Sequence, residues 1–209
     1  MSKLFGPADF RSIEEAIARA EQKTAGEIVA LVVPASSEYF GLTVAGAVVG
    51  WLLATGAVAT WEFRSAGVCP LWGLAGLQLV GVWLGAWASR LDGIRARLLG
   101  SESVRRAVHE KCMASFIAQG LTETRDRTGI LIYVSELEKT VEILADKGIY
   151  AKTPVGYWND QVQHVVRGIH ANRATPALCE AIEQMGTKLA EHFPPSADDR
   201  NELSNHVRR

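Results

Sequence analysis

Between Tyr39 and Ser89 the chain carries only two ionisable carboxylate or basic side chains, Glu62 and Arg64, and they fall together near the middle. Residues 40–61 read FGLTVAGAVVGWLLATGAVATW, a run without a charge. At ~1.5 Å of rise per residue, a helix of this length crosses a hydrocarbon core of ~30 Å. Residues 67–89 read GVCPLWGLAGLQLVGVWLGAWAS, with Gln78 the one strongly polar side chain. Five of the six tryptophans lie at 51, 61, 72, 83 and 87. Trp61, Trp72 and Trp87 stand near the expected helix ends, where an indole keeps its ring in hydrocarbon and its N–H among headgroups. Two buried core helices in a soluble protein are the competing arrangement, and two consecutive charge-free runs argue against it. The pattern predicts a transmembrane hairpin over 39–90, with helices at 40–61 and 67–89.

The link at 62–66 is short, so the two helices must run antiparallel. Each carries a ridge of small residues at four-residue spacing: Gly46, Gly50 and Ala54, then Gly81, Gly85 and Ser89. In lipid such ridges let backbones approach closely, because packing and not hydrophobic burial drives helix association there. They can pair within the hairpin or between two copies, which would make an oligomer. Arg64 is alone in the link. Arg90, Arg95, Arg97, Arg105 and Arg106 follow the second helix, and Lys3, Arg11, Arg19 and Lys23 precede the first. Basic flanks stay inside, so the expected topology is two-pass, with both termini and the polar regions cytoplasmic. In a bacterium this would be the inner membrane.

The flanks read as one α/β domain split by that hairpin. Phe10, Ile13, Ile17 and Ala20 recur at helical spacing and predict a helix over 7–22. The run at 28–33 then reads as a buried strand that cannot stand alone. After the hairpin, Ser101 opens a helix stopped at Gly120, and GILIYV (129–134) and TVEILA (140–145) predict a β-hairpin across the link at 136–139. Two helices follow over 157–172 and 175–192, the second opened by Thr175 as N-cap and Pro176 in its first turn. The strand at 28–33 finds partners only beyond the hairpin. Residues 1–38 and 91–195 therefore form one domain on one side of the membrane, and 196–209 is a polar tail. No cleavable leader is visible. The formal net charge of −1 gives no support for nucleic-acid binding. Cys69, Cys112 and Cys179 are odd in number and form no CxxC.

The stretch TRDRTGILIYVSELEKTVEILADKGIYA (124–151), with Trp158 and LAEHFPP (189–195), resembles the TPM domain, in particular its bacterial integral-membrane branch. The resemblance covers residues 7–36 and 102–195. It implies an α/β/α sandwich. It also implies divergent roles, since members include an acid phosphatase of the thylakoid lumen, proteins of photosystem II repair and a modulator of an acetylcholine receptor. A divalent cation, usually calcium, accompanies some members. The chain departs from the phosphatase-like members in opening with Gly6, Pro7, Ala8 and Asp9, and in carrying Ala145, Asp146, Lys147 and Gly148 after the last strand.

Asp146 is the strongest polar candidate, because strand ends are where α/β folds place ligand-binding groups. The competing reading makes it an organiser of its own turn. Calcium takes six to eight oxygens, and Asp146, Asp160 and Glu27 are the carboxylates that could contribute. Glu138 and Glu142 are placed near Asp146, and Glu142, which alternates with apolar residues, is read as a solvated strand position. Tyr157 and Trp158 are read as a wedge between helix and sheet, or as a wall beside Asp146. His109 and Cys112 share a helix face without two further ligands at zinc spacing, and His164 and His170 point to different faces. No GxSxG, P-loop, GxGxxG or HExxH is present. Two function classes remain. One is a membrane-anchored accessory or interaction domain that assists another membrane or membrane-proximal protein. The other is a metal-dependent phosphatase-like hydrolase. The lack of an acid, base and nucleophile set favours the first.

Overall fold

The computed structural model describes residues 4–65, 71–98, 101–124, 127–195 and 205–208. Among these residues the chain forms eight helices and three strands, and it divides into two compact units. Met1–Ser36 joins Glu102–Arg209 in one, and Ser37–Ser101 makes the other.

The first unit is built on a three-stranded sheet in the order β1 (Glu27–Val33), β2 (Gly129–Ser135), β3 (Thr140–Ala145). β1 runs parallel to β2, with Ala30 opposite Ile132, and β3 runs antiparallel to β2, with Ile143 opposite Ile132. The strand before the charge-free stretch thus pairs with one after it, more than ninety positions along the chain. β2 is buried along its whole length, which its unbroken apolar sequence requires.

Alternation sends Ile28, Ala30, Val32, Ile130, Ile132, Val134, Val141 and Ile143 to one face. There they meet α1 (Pro7–Glu21), α7 (Tyr157–His170) and α8 (Ala174–Ala190). Val29, Leu31, Leu131 and Tyr133 point the other way, onto Val108, Cys112 and Phe116 of α5 (Ser101–Ala118). Helices therefore cover both faces. Each fully buried branched side chain contributes roughly 1.5–3 kcal/mol relative to exposure. α1 starts where proline can begin a helix: Pro7 takes the first turn, and the Gly6 N–H donates to Asp9 Oδ2 at 2.7 Å. α5 ends before Gly120, whose φ of +75° only glycine adopts without strain.

Several boundaries differ from the sequence expectation. α8 starts at Ala174 with Arg173 at the N-cap position, so Thr175 lies inside the helix and caps nothing. Two short helices, α4 (Asp92–Leu98) and α6 (Lys147–Tyr150), appear where none was predicted. Of the expected polar tail at 196–209, the described residues 205–208 are docked. The Val207 N–H donates to Glu14 Oε1 at 3.0 Å, Val207 packs against the core, and Arg208 bridges Leu31 at the outer edge of β1.

The second unit holds α2 (Phe40–Ser65) and α3 (Leu71–Ala88). α2 continues through 62–65, so the link starts later than the sequence suggested; 66–70 lie outside the described residues. α2 is long and apolar enough to cross a membrane, and only 6% of its most apolar window is buried. α3 is apolar but shorter. The two pack antiparallel along the small-residue ridges. A Cβ added to Gly50 would stand 2.0 Å from the Gly81 carbonyl oxygen, and one on Gly85 would stand 2.1 Å from that of Gly46. Glycine is required because only backbone meets backbone there. The ridges, which could have served two copies, are used within one chain.

Candidate functional site

Three strand termini meet at one end of the sheet. The register sets Glu27 beside Gly129, and the Asp146 N–H donates to the Gly129 carbonyl at 2.9 Å. Glu27 and Asp146 therefore stand on either side of Gly129. Alternation puts both side chains on the α5 face, about 10 Å apart at the backbone for two strand spacings. The space above Gly129 is filled: Leu121 lies over it, with its carbonyl oxygen 2.9 Å from where a Cβ would be. Both carboxylates are buried, Glu27 8% and Asp146 7% exposed.

Asp146 caps α6. Its Oδ1 accepts the Lys147 N–H at 2.7 Å, which satisfies one of the helix's orphan donors. Its Oδ2 is buried, makes no hydrogen bond among the described residues, and lies 3.9 Å from Arg127 Nη1. Arg127 is itself in the left-handed region, with φ of 55°. A buried carboxylate oxygen without a hydrogen bond is costly, and the guanidinium offsets part of that through a longer ion pair. The Lys147 amide at one oxygen and the Arg127 guanidinium near the other hold the Asp146 side chain in place at the sheet's end.

The remaining candidates are dispersed. Asp160 is exposed in the first turn of α7. Glu138 accepts the Ser36 N–H at 3.0 Å and the Ser135 hydroxyl, which ties the end of β1 to the β2–β3 turn. Glu142 pairs with His109 at 2.5 Å. Cys112 sits fully buried in the second core, where desolvation pushes its thiol far above the usual range and the Glu142 charge adds to the shift. It is a packing residue, while His109 faces outward, and the two do not converge. His164 pairs with Glu180 at 3.1 Å, and His170 is exposed at the end of α7. The Trp158 indole donates to the Thr153 hydroxyl at 3.0 Å and meets Tyr157 edge-on at 5.1 Å, as a wedge does. Among the described residues no three of His, Cys, Asp and Glu gather as metal ligands.

The arginines after the second apolar run take different roles. Arg95 Nη2 donates to the Glu38 carbonyl at 2.6 Å and its guanidinium covers the Tyr39 ring at 5.4 Å. Arg105 and Arg106 lie on α5 and make no ion pair among the described residues. Sequence reasoning located Asp146 but missed Arg127, because contacts between loops leave no periodic signal.

No family model and no curated protein matches this sequence. Among solved structures it is similar to the NMR structure of BA42 protein from the psychrophilic bacterium Bizionia argentinensis sp. nov.. The two are 19% identical, with a TM-score of 0.60 over 100% of this chain and 97% of that one. At that identity the likeness speaks for the mixed α/β fold alone.

Proposed function

We propose that this chain is a membrane-anchored accessory protein. In this reading α2 and α3 span the bilayer as a hairpin, and the α/β unit, a TPM-like α/β/α sandwich, works on the cytoplasmic side by binding a membrane or membrane-proximal protein. The observation that carries the reading is the exposure of α2: Phe40, Leu53 and Phe63 are 74%, 70% and 93% exposed in a helix with almost no charge. Apolar surface on that scale needs an apolar surrounding, and a buried core helix would hide it. α3 supports a second crossing. Its 18 residues rise about 27 Å, near the ~30 Å hydrocarbon thickness. The nine basic residues of the flanks against one in the link favour inward termini.

Two measurements test it. The protein should stay in the membrane pellet after alkaline carbonate extraction; release would refute the anchor. In a background without native cysteines, Ser65→Cys should react with a membrane-impermeant maleimide on intact cells, and Ser196→Cys only after lysis. The reverse pattern would invert the topology.

A second reading, a metal-dependent phosphatase-like hydrolase, is favoured by the buried Asp146 oxygen that lacks a hydrogen bond among the described residues. Calcium or another divalent ion there would draw on Asp146, with Glu27 on the same sheet end and Asp160 outside it. A cation bound only by the folded state adds about 2.7 kcal/mol at a hundredfold excess over Kd. Millimolar calcium or magnesium should then raise the melting temperature, and Asp146→Asn should abolish the rise. An unchanged melt removes this reading and leaves Asp146 as the cap of α6.

A further inference from the structure

Three segments of the helical unit meet where the chain enters and leaves the hairpin. Arg95 of α4 donates to the Glu38 carbonyl at 2.6 Å and covers the Tyr39 ring, which fastens α4 to the start of α2. From there a groove of about 760 Å³ runs along the hairpin, lined between Leu42 and Ala54 on α2 and between Leu77 and Ser89 on α3. It exists because the helices meet through glycine. The larger side chains on either side, Leu53, Leu77 and Leu84 among them, stand above a contact made by backbone. Among the described residues Ser89 is its one polar lining, and that hydroxyl already donates to the Ala86 carbonyl at 2.9 Å. A channel without a free polar group takes an apolar occupant and not water.

Its length selects the occupant. Each lining stretch rises about 18 Å at ~1.5 Å per residue, a little more than half of a ~30 Å hydrocarbon core. α2 continues to Ser65 without lining it. With the hairpin in a bilayer, the groove opens at the surface beside α4 and ends near the midplane. A helix of a second copy crosses the whole core and would find only half of its length matched. An acyl chain of one leaflet ends where the groove ends.

The α4 end suits a headgroup. At about 100° per residue Ile94 and Leu98 share one face of α4, and both line the groove. Arg97 lies roughly 60° from Ile94 on the same wheel, and Arg90 directly follows Ser89. Both arginines are exposed, and neither makes an ion pair among the described residues. Arg90, Arg95 and Arg97 stand against two carboxylates at this end, Glu38 and Asp92, so the balance is positive with no histidine in it. Apolar side chains toward hydrocarbon with basic ones at their border mark an interfacial helix, and a guanidinium fork matches phosphate oxygens.

We propose that the groove holds one acyl chain of an anionic phospholipid whose phosphate is met by Arg90 and Arg97. Ile94 and Leu98 cover the part of the chain next to the headgroup, and the glycine contact gives the rest its bed. This rests on the membrane anchor and deepens it by naming the lipid class the hairpin selects. Carbonate extraction and cysteine labelling do not depend on which lipid is bound, so the two can fail separately.

The test is native mass spectrometry of the full-length protein in mild detergent, titrated with dioleoyl phosphatidylglycerol or dioleoyl phosphatidylcholine. One phosphatidylglycerol should be retained, with at least tenfold preference over phosphatidylcholine. The pair Arg90→Gln and Arg97→Gln should remove that preference at an unchanged melting temperature. Val49→Trp fills the groove from an exposed wall position and should lose both lipids, while Val44→Trp, exposed but off the groove, should lose neither. Ala45→Phe, another exposed lining position, repeats the test if Val49→Trp melts early. Millimolar glycerol phosphate should not displace the lipid; displacement would mean an anion site without a chain and overturn the proposal. Equal ladders of both lipids would mean an ordinary lipid annulus, which overturns it too. So does selectivity that survives in the arginine variant or in both groove-filling variants. A dimer that Val49→Trp dissolves assigns the groove to a second copy, and the proposal fails.

Discussion

The two units use apolar side chains in opposite ways. In the α/β unit the branched residues face inward: Ile13, Ile17, Ile130, Ile132 and Leu178 are fully buried. In the helical unit Leu53, Leu79 and Trp83 are 70%, 71% and 64% exposed, while Gly46, Gly50, Gly81 and Gly85 form the contact. One unit hides its bulk and the other presents it. In water burial of bulk drives folding. Where the surroundings are themselves apolar, burial contributes little and close backbone packing takes over. The inversion is what separates the two units physically.

Removing one unit tests the comparison most severely. Replacing Ser37–Ser101 by a short glycine–serine linker leaves all three strands and both cores in place. The product should move entirely from the membrane to the soluble fraction and unfold in one cooperative step. Insolubility, or separate transitions for the two sequence halves, would show that the α/β unit depends on the helices it surrounds in sequence.

Single substitutions should sort by unit. Ile132→Ala deletes bulk from the central strand and should cost about 2–5 kcal/mol, read by denaturant unfolding. Gly50→Leu adds bulk where the Gly81 backbone already stands, and should cost about 1–3 kcal/mol in detergent-solubilised protein. Gly56→Leu is the control, since a Cβ there meets nothing within 4 Å, and it should change stability by less than about 0.5 kcal/mol. Equal losses at Gly50 and Gly56 would mean that helix propensity, and not close approach, governs the second unit.

How much of this was legible in advance follows from the range of each signal. The charge-free stretch is a local property, so α2 stood out. The strands were legible because their apolar runs are bounded by glycine and polar residues. α4 and α6 are too short for helical period to register, and the N-cap of α8 was misplaced because Thr175 followed by Pro176 mimics a cap. The tail reads as polar, and Val207 and Arg208 dock through partners nearly two hundred positions away. At the site, Asp146 showed itself as an acid at the end of a strand. Arg127 beside it depends on which strand lies next to which. That order is a long-range fact with no local trace.

The smallest effect belongs to a residue that departs from the rule of the α/β unit. Tyr157 is half-buried, yet its hydroxyl is shielded and makes no hydrogen bond among the described residues. Burial pushes its pKa up to about 12, and the nearby Glu191 charge acts in the same direction. The folded pKa thus lies above the ordinary value of about 10. Below pH 10 both states hold the proton and stability does not change on this account. Between 10 and about 12 the unfolded chain releases it first, so stability falls as pH rises through that window. Tyr157→Phe removes both features. Near pH 7 it should be neutral or stabilising by less than about 1 kcal/mol, because an unsatisfied hydroxyl is lost and the ring's contact with Trp158 is kept. Above pH 10 its melting temperature should decline less steeply than that of the wild type. Melts of the two proteins from pH 7 to 11.5 decide it, since Tyr133 and the cysteines titrate alike in both. Parallel curves would mean that the hydroxyl is solvated, and that even this residue follows the inward pattern of its unit.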